Sequence, residues 1–168
     1  QPNLEGLSQS LTLQSDLYMY GAFILASFIA AIGLAGGMYV IRNMVWTEGI
    51  FVANDFWRGV KLNFWNALQA AIFFCVVMLL GKFLINTAEL TLAVQSVSKG
   101  QRIWFKISEA FSVIMMVLAA LMSLWMIALG VNYKQGFWPL IKNSFLMSIG
   151  MLPQSIFFAA LALLPFAI

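Results

Sequence analysis

Few side chains of this sequence can do acid–base chemistry, and none of them is a histidine. The 168 residues include six acidic side chains, nine lysines and arginines and no histidine. The carboxylates suited to proton transfer are Glu48, Asp55, Glu89 and Glu109, and all of them lie between or at the ends of apolar stretches. Carboxylates at such places are typically solvated or paired with a helix dipole. Ser/His/Asp and Cys/His catalysis are excluded without histidine, and we expect a protein that is not an enzyme.

Metal and cofactor chemistry has equally little to work with. The single cysteine, Cys75, lies deep in an apolar run, where a buried thiol acts as a small hydrophobic group. One cysteine forms no disulfide framework, and a zinc site would need more cysteines or histidines. The methionine-rich stretch 115–126 lacks the cysteine or histidine that a copper site would add. No glycine-rich phosphate loop is present, so the sequence predicts no metal and no cofactor.

Two amides in apolar surroundings, Gln69 and Gln154, are the remaining polar candidates. Each could bond to a neighbouring helix, or both could line a polar path for a sugar-like solute. The sequence leaves these two roles open. No carboxylate lies in the middle of an apolar run, which argues against a proton-coupled carrier acting alone.

The elements that hold these residues are apolar stretches without any charge. Residues 17–41, 62–81, 110–133 and 143–168 contain no Asp, Glu, Lys or Arg. A helix needs about 20 apolar residues to cross the roughly 30 Å hydrocarbon core of a bilayer. Hydrophobic residues make up 62% of the chain and charged residues 9%, against about 25% charged in soluble domains. The sequence therefore predicts an all-α, polytopic membrane protein with four visible transmembrane helices.

We expect these spans to form a single transmembrane domain. Their bounds are expected at about 17–41, 62–85, 108–131 and 143–168, and Pro153 kinks or divides the last one. The positive-inside rule puts residues 1–16 outside, with five Lys/Arg on the inner side and four on the outer side. A net charge of +3 is too small to suggest nucleic-acid binding and fits contact with membrane lipid. Both ends look truncated, so we expect further membrane helices outside these residues in the whole protein.

Small residues of the first span are spaced for contact with another helix. Ala26 and Ala30 are four residues apart, and Gly33 and Gly37 form a GxxxG pair. Such spacing lets a second helix approach closely, and packing drives helix association inside a membrane. The sequence predicts a partner-packing face made of these four residues. The alternative is that glycine is simply frequent in membrane helices.

The stretch between the first two spans predicts a short amphipathic helix at the membrane surface. Apolar and polar residues alternate at helical spacing over about 50–61. The alternative is a solvated loop with interfacial aromatic residues. Its side chains would form a collar at the cytoplasmic interface, comprising Trp46, Glu48, Asp55, Trp57, Arg58 and Lys61.

A weak repeat links this collar to the start of the fourth span. The pattern Phe-Trp-x3-Lys-x2-Phe occurs at residues 56–64 and again at 137–145. Two spans separate the copies, so both should enter the membrane from the same side. Repeated halves are common in transport proteins, but collars of aromatic residues and lysine also arise independently at membrane surfaces.

Two stretches resemble the YesL-like family of small bacterial membrane proteins. They are residues 39–63, with Glu48-Gly49 and Asp55-Phe56-Trp57-Arg58-Gly59, and the segment from Lys142-Asn143 to Leu152-Pro153. The family is largely of unknown function, and its genes often accompany carbohydrate ABC importers. The resemblance implies a multi-pass protein of the bacterial plasma membrane, with five or six helices in the whole protein.

We therefore expect a non-enzymatic accessory subunit of a transport complex. The resemblance implies a carbohydrate ABC importer, with other integral-membrane subunits such as its permease chains as partners. The loop at Glu48-Gly49 lacks the coupling motif of ABC permeases, so this chain is not expected to form the pore itself. The alternative is a stand-alone transporter or channel for a small solute, with Gln69 and Gln154 along its path.

Overall fold

Four helices account for almost all of the chain that the structure describes. The structure is a computed structural model, and it describes residues 2–46, 51–93, 98–155, 157 and 161. The helices are α1 (Pro2–Trp46), α2 (Val52–Ala93), α3 (Lys99–Asn132) and α4 (Phe137–Gly150). No strand occurs among these residues, so the all-α prediction is confirmed for the described chain.

Three of the helices are long and apolar enough to cross a membrane. The qualifying stretches are Tyr18–Trp46, Val52–Leu92 and Lys99–Asn132, which indicates a membrane protein. With 42 residues, α2 is about 63 Å long at 1.5 Å per residue, twice the thickness of a hydrocarbon core. The helices therefore extend well beyond the uncharged stretches that predicted the first three spans.

The structure differs from the sequence prediction at both ends of α2 and at the start of α3. Residues 52–61, predicted as a separate interfacial helix, are the first turns of α2 and continue into it without a break. The third helix starts at Lys99 and not near 108, because Ser98 caps it. The Ser98 side chain accepts a hydrogen bond from the Gln101 backbone N–H at 3.4 Å, and the Gln101 side chain accepts one from the Ser98 backbone at 3.1 Å.

The predicted fourth span lies only partly within the described residues. Helix α4 has 14 residues and ends at Gly150, with Met151 in a turn and residues 152–155 again helical. Pro139 is in the first turn of α4, where a missing backbone N–H breaks no helical hydrogen bond. Residues 156, 158–160 and 162–168 lie outside the described chain, and so does most of the predicted span.

The helices pack around α2, which runs along both α1 and α3. The buried core consists mainly of small side chains from α1 and α2 and larger ones from α3. Helix α4 packs on α3, with Leu140, Ser144 and Ser148 buried. The main core comprises Ala31, Ala35, Tyr39, Ala67, Ala70, Ala71, Met126, Ile127, Leu129, Val131 and Leu140. Small residues let these helices approach closely, as membrane helices do.

Large apolar side chains cover the outside of the bundle. Ile29 on α1 is 72% exposed and Phe111 on α3 is 60% exposed, and many others are similar. Within the most apolar window of each spanning helix, 33% or less of the residues are buried. Such a surface suits contact with lipid and not with water. Cys75 is a buried free thiol, as predicted.

Hydrogen bonds between helices fix which helix ends lie together. The Arg42 guanidinium donates to the Val131 carbonyl at 2.8 Å, and the Asn66 amide donates to the Gly130 carbonyl at 2.9 Å. The last turns of α1 and α3 and the first turns of α2 thus share one end of the bundle, which we call the collar end. The opposite end is called the far end below. Helix α4 starts five residues after α3, so both Phe-Trp motifs lie at the collar end, as the repeat predicts.

Candidate functional site

The face of α1 that touches α2 is already in close contact. Gly36 is buried, and a Cβ added there would lie 2.7 Å from a ring carbon of Phe56. A Cβ added at Gly59 of α2 would lie 2.5 Å from the Cβ of Tyr39. Both glycines are therefore needed inside this chain, and neither is available to a partner.

Another face of α1 is open. A Cβ added at Gly33 or Gly37 would meet no atom within 4 Å in the described chain. Ala26 and Ala30 are exposed. With Gly33 they follow i, i+4 and i+7 spacing, which places these residues on the same side of the helix. The predicted partner-packing role of the four residues stays a prediction, and the open space is shown at Gly33 and Gly37.

Ala26 and Ala30 also border a cavity of about 400 Å³ between α1, α2 and α3. The lining is apolar, and it includes Ala70 and Ala71 of α2 and Ile127 of α3. The four residues of the predicted packing face therefore have two different surroundings. The alanines lie beside a cavity, and the glycines lie on an open helix surface nearer the collar end.

The predicted collar residues are mostly exposed at the collar end. Trp46 is 78% exposed and Trp57 is 63% exposed. Arg58 and Lys61 are exposed, and Asp55 is half-buried in the first turn of α2. Glu48 lies outside the described residues. Exposed tryptophans beside cations are typical of side chains at a membrane–water interface.

Each Phe-Trp motif makes the same ring contact. Phe56 and Trp57 have centroids 5.7 Å apart in a T-shaped arrangement, and Phe137 and Trp138 also lie 5.7 Å apart. Edge-to-face contact is a favourable geometry for aromatic rings. The adjacent rings of Phe64 and Trp65 make a similar T-shaped contact at 5.9 Å, so this geometry is not specific to the repeat.

Sequence reasoning missed the two side chains that tie the helices together at the collar end. It used Arg42 only as one of the five Lys/Arg counted on the inner side, and it gave Asn66 no role. In the structure both cap carbonyls in the last turn of α3, which have no partner within their own helix. The Arg42 guanidinium also lies 6.0 Å from the centre of the Tyr39 ring. The only sequence signal was a polar residue, Asn66, within an apolar run.

The two glutamines differ in their surroundings. The side-chain oxygen of Gln69 is buried without a hydrogen-bond partner in the described chain, while Gln154 is exposed. No hydrogen bond joins the two side chains. The structure therefore identifies Gln69 as an unsatisfied polar group next to the core, and a polar path shared with Gln154 stays a prediction.

No group of three or more histidine, cysteine or acidic side chains suited to a metal ion occurs among the described residues. Comparison with family models, curated proteins and solved structures finds no match to this chain. The resemblance to the YesL-like family stays a prediction. The functional argument therefore depends on the open face of α1, the collar end and Gln69.

Proposed function

We propose that this chain is a non-enzymatic accessory subunit of a membrane transport complex, docked on a partner helix through α1. The observation that supports this most directly is the open space beside Gly33 and Gly37, where added Cβ atoms would meet nothing within 4 Å. Inside a membrane, helices associate through close packing because lipid is as apolar as the side chains. An uncovered glycine pair on a spanning helix is therefore suited to a second membrane helix.

The collar end is the proposed contact with the cytoplasmic parts of the complex. Trp46, Trp57 and Trp138 are exposed there, beside Arg58 and Lys61. In the proposal, the first turns of α2 project from the bilayer on its cytoplasmic side, in line with the part of the helix that crosses the membrane. A fourth span begins with α4 and continues past Pro153.

The resemblance to the YesL-like family supports a narrower form of the proposal. It suggests a carbohydrate ABC importer in a bacterial plasma membrane as the complex, with permease chains as neighbours. The sugar itself is not specified by any residue of this chain.

The test replaces Gly33 and Gly37 and measures whether membrane partners still co-purify with the protein. Gly33→Leu together with Gly37→Leu should abolish co-purification of membrane partners from native membranes in mild detergent. The two leucines fill the space that a partner helix needs, and their Cβ atoms meet nothing within 4 Å in the described chain. Gly21→Leu is the matched control, because Gly21 is also open and lies more than two turns away on α1. If the double variant keeps its partners in wild-type amounts, the docking proposal is wrong.

The buried, unpartnered oxygen of Gln69 favours a stand-alone transporter as the second candidate. A buried polar atom without a partner costs about 1–3 kcal/mol, and a polar solute could supply the missing hydrogen bond. Liposomes that contain only this protein should then take up a small solute, and Gln69→Leu should abolish the uptake. Absence of uptake with the wild-type chain would exclude this candidate.

A further inference from the structure

An apolar groove follows α1 from the far end of the bundle towards its middle. The cavity of about 400 Å³ and a second of about 200 Å³ are both lined by α1, α2 and α3, and both include Phe23. Their α1 residues, from Met19 to Leu34, recur at helical spacing on one side of that helix. The two cavities are thus consecutive parts of one surface, which we call the α1 groove.

The α1 groove has one charge, and that charge is at its far end. Lys82 is the only lysine, arginine or acidic residue among the lining residues. It has no acidic partner in the described chain. The hydroxyls of Ser27 and Ser123 donate within their own helices, to the Phe23 carbonyl at 2.8 Å and the Ala120 carbonyl at 2.7 Å. Apart from the Tyr20 phenol in the smaller cavity, the remaining wall is apolar. The groove is therefore suited to a ligand with an anionic head and an apolar tail.

The length of the α1 groove matches one leaflet of a bilayer. On α2 the lining runs from Ala70 to Lys82, which is about 18 Å along the helix. One leaflet of the hydrocarbon core is about 15 Å thick. Lys61 and Lys82 are about 32 Å apart along α2, close to the full core thickness. The groove thus extends from the headgroup level at Lys82 to near the bilayer middle.

We propose that the α1 groove binds one anionic phospholipid. The Lys82 ammonium pairs with the phosphate, and one acyl chain passes Phe23 and ends against Ala30, Ala71 and Ile127. An anionic lipid fits better than a partner helix, because its phosphate supplies the counter-charge that Lys82 lacks among the described residues, whereas an apolar helix does not. This proposal stands independently of the proposed function, since it needs no partner protein.

The test is native mass spectrometry of the purified full chain, with phosphatidylglycerol and phosphatidylcholine added as probes. Lys82→Gln should lower the preference for phosphatidylglycerol over phosphatidylcholine about fivefold, the contribution of one cation at a membrane surface. Ala30→Phe should weaken binding of both lipids, because Ala30 is exposed and its replacement fills the groove. Lys106→Gln is the matched control, as Lys106 is exposed towards the same end and lines neither cavity.

Several results would overturn the proposal. The proposal is wrong if Lys82→Gln and Ala30→Phe both leave lipid binding at the wild-type level, or if Lys106→Gln weakens it as much as Lys82→Gln does. Ala26→Phe fills the same cavity from an exposed position and serves as the second variant if Ala30→Phe does not fold. A wild-type chain that binds no lipid, while Ala30→Phe loses a co-purifying subunit, would assign the groove to a partner helix. Gly33→Leu with Gly37→Leu should leave lipid binding intact, which separates this test from that of the proposed function.

Discussion

Glycine has two opposite roles in the contacts of α1. Gly36 and Gly59 allow α1 and α2 to approach so closely that an added methyl group would overlap a neighbour. Gly33 and Gly37 have only open space beside them. Sequence spacing identified the second pair but gave no role to the first. A GxxxG pattern shows that a helix can approach, and it does not show which neighbour does so.

The crowded position can be tested with one methyl group. Gly59→Ala should lower the melting temperature in detergent, because the new Cβ would lie 2.5 Å from the Cβ of Tyr39, and overpacking costs about 1–3 kcal/mol. That loss exceeds the gain in helix propensity, which is about 1 kcal/mol or less. Gly21→Ala is the control and should keep or raise the melting temperature, since nothing lies within 4 Å of its new methyl group. A Gly59→Ala variant as stable as wild type would show that α1 and α2 are less closely packed there.

At the level of the helices, hydrogen bonds at the helix ends determine where α3 begins and how α1 is tied to α3. The uncharged stretches located the first three helices well, because charge is costly in a membrane. They failed at the ends, where polar side chains bond to the backbone. The Ser98–Gln101 capping box was visible in the sequence and starts α3 about ten residues before the predicted span. The bond from Arg42 to Val131 joins residues 89 positions apart, and no local pattern shows it.

The Arg42 cap should contribute measurably to stability. Arg42→Gln removes the bond to the Val131 carbonyl and should lower the free energy of unfolding by about 1–3 kcal/mol. Hydrogen exchange should rise in the last turns of α1 and α3, where the two helices are tied. Arg58→Gln is the control, because Arg58 is exposed on α2 near the same end and makes no bond to Val131. Equal exchange in both variants would mean that the bond does not hold these turns together.

At the level of the whole molecule, charge differs between the two ends. The collar end carries five lysines and arginines and two acidic residues, counting Glu48 by its place in the sequence. The far end carries four of each sign. The positive-inside rule counts lysine and arginine alone, so the acidic residues at the far end add nothing to it. Five cations against four favour a cytoplasmic location for the collar end by a margin of one.

Labelling from each side of the membrane tests this orientation. In a Cys75→Ala background, Lys134→Cys should react with an impermeant maleimide only after the cytoplasmic side is exposed. Gln101→Cys should react in intact cells, since it lies at the start of α3, at the far end. Both positions are exposed in the structure. Reaction of both cysteines from one side would show that the collar end and the far end do not lie on opposite sides of the membrane.

The Arg42 bond also fixes the collar end of α1 against α3, so a tilt of α1 displaces mainly its far end. From Arg42 to Tyr18 the helix is about 36 Å long, so a tilt of 5° about the Arg42 end moves Tyr18 by about 3 Å. Such a displacement is comparable to the width of a hydrocarbon chain. Binding and release of a lipid in the α1 groove would then tilt α1, with the displacement largest at the far end and smallest at the collar end. A change in the lipid of one leaflet would then change the angle of α1 at the opposite membrane surface.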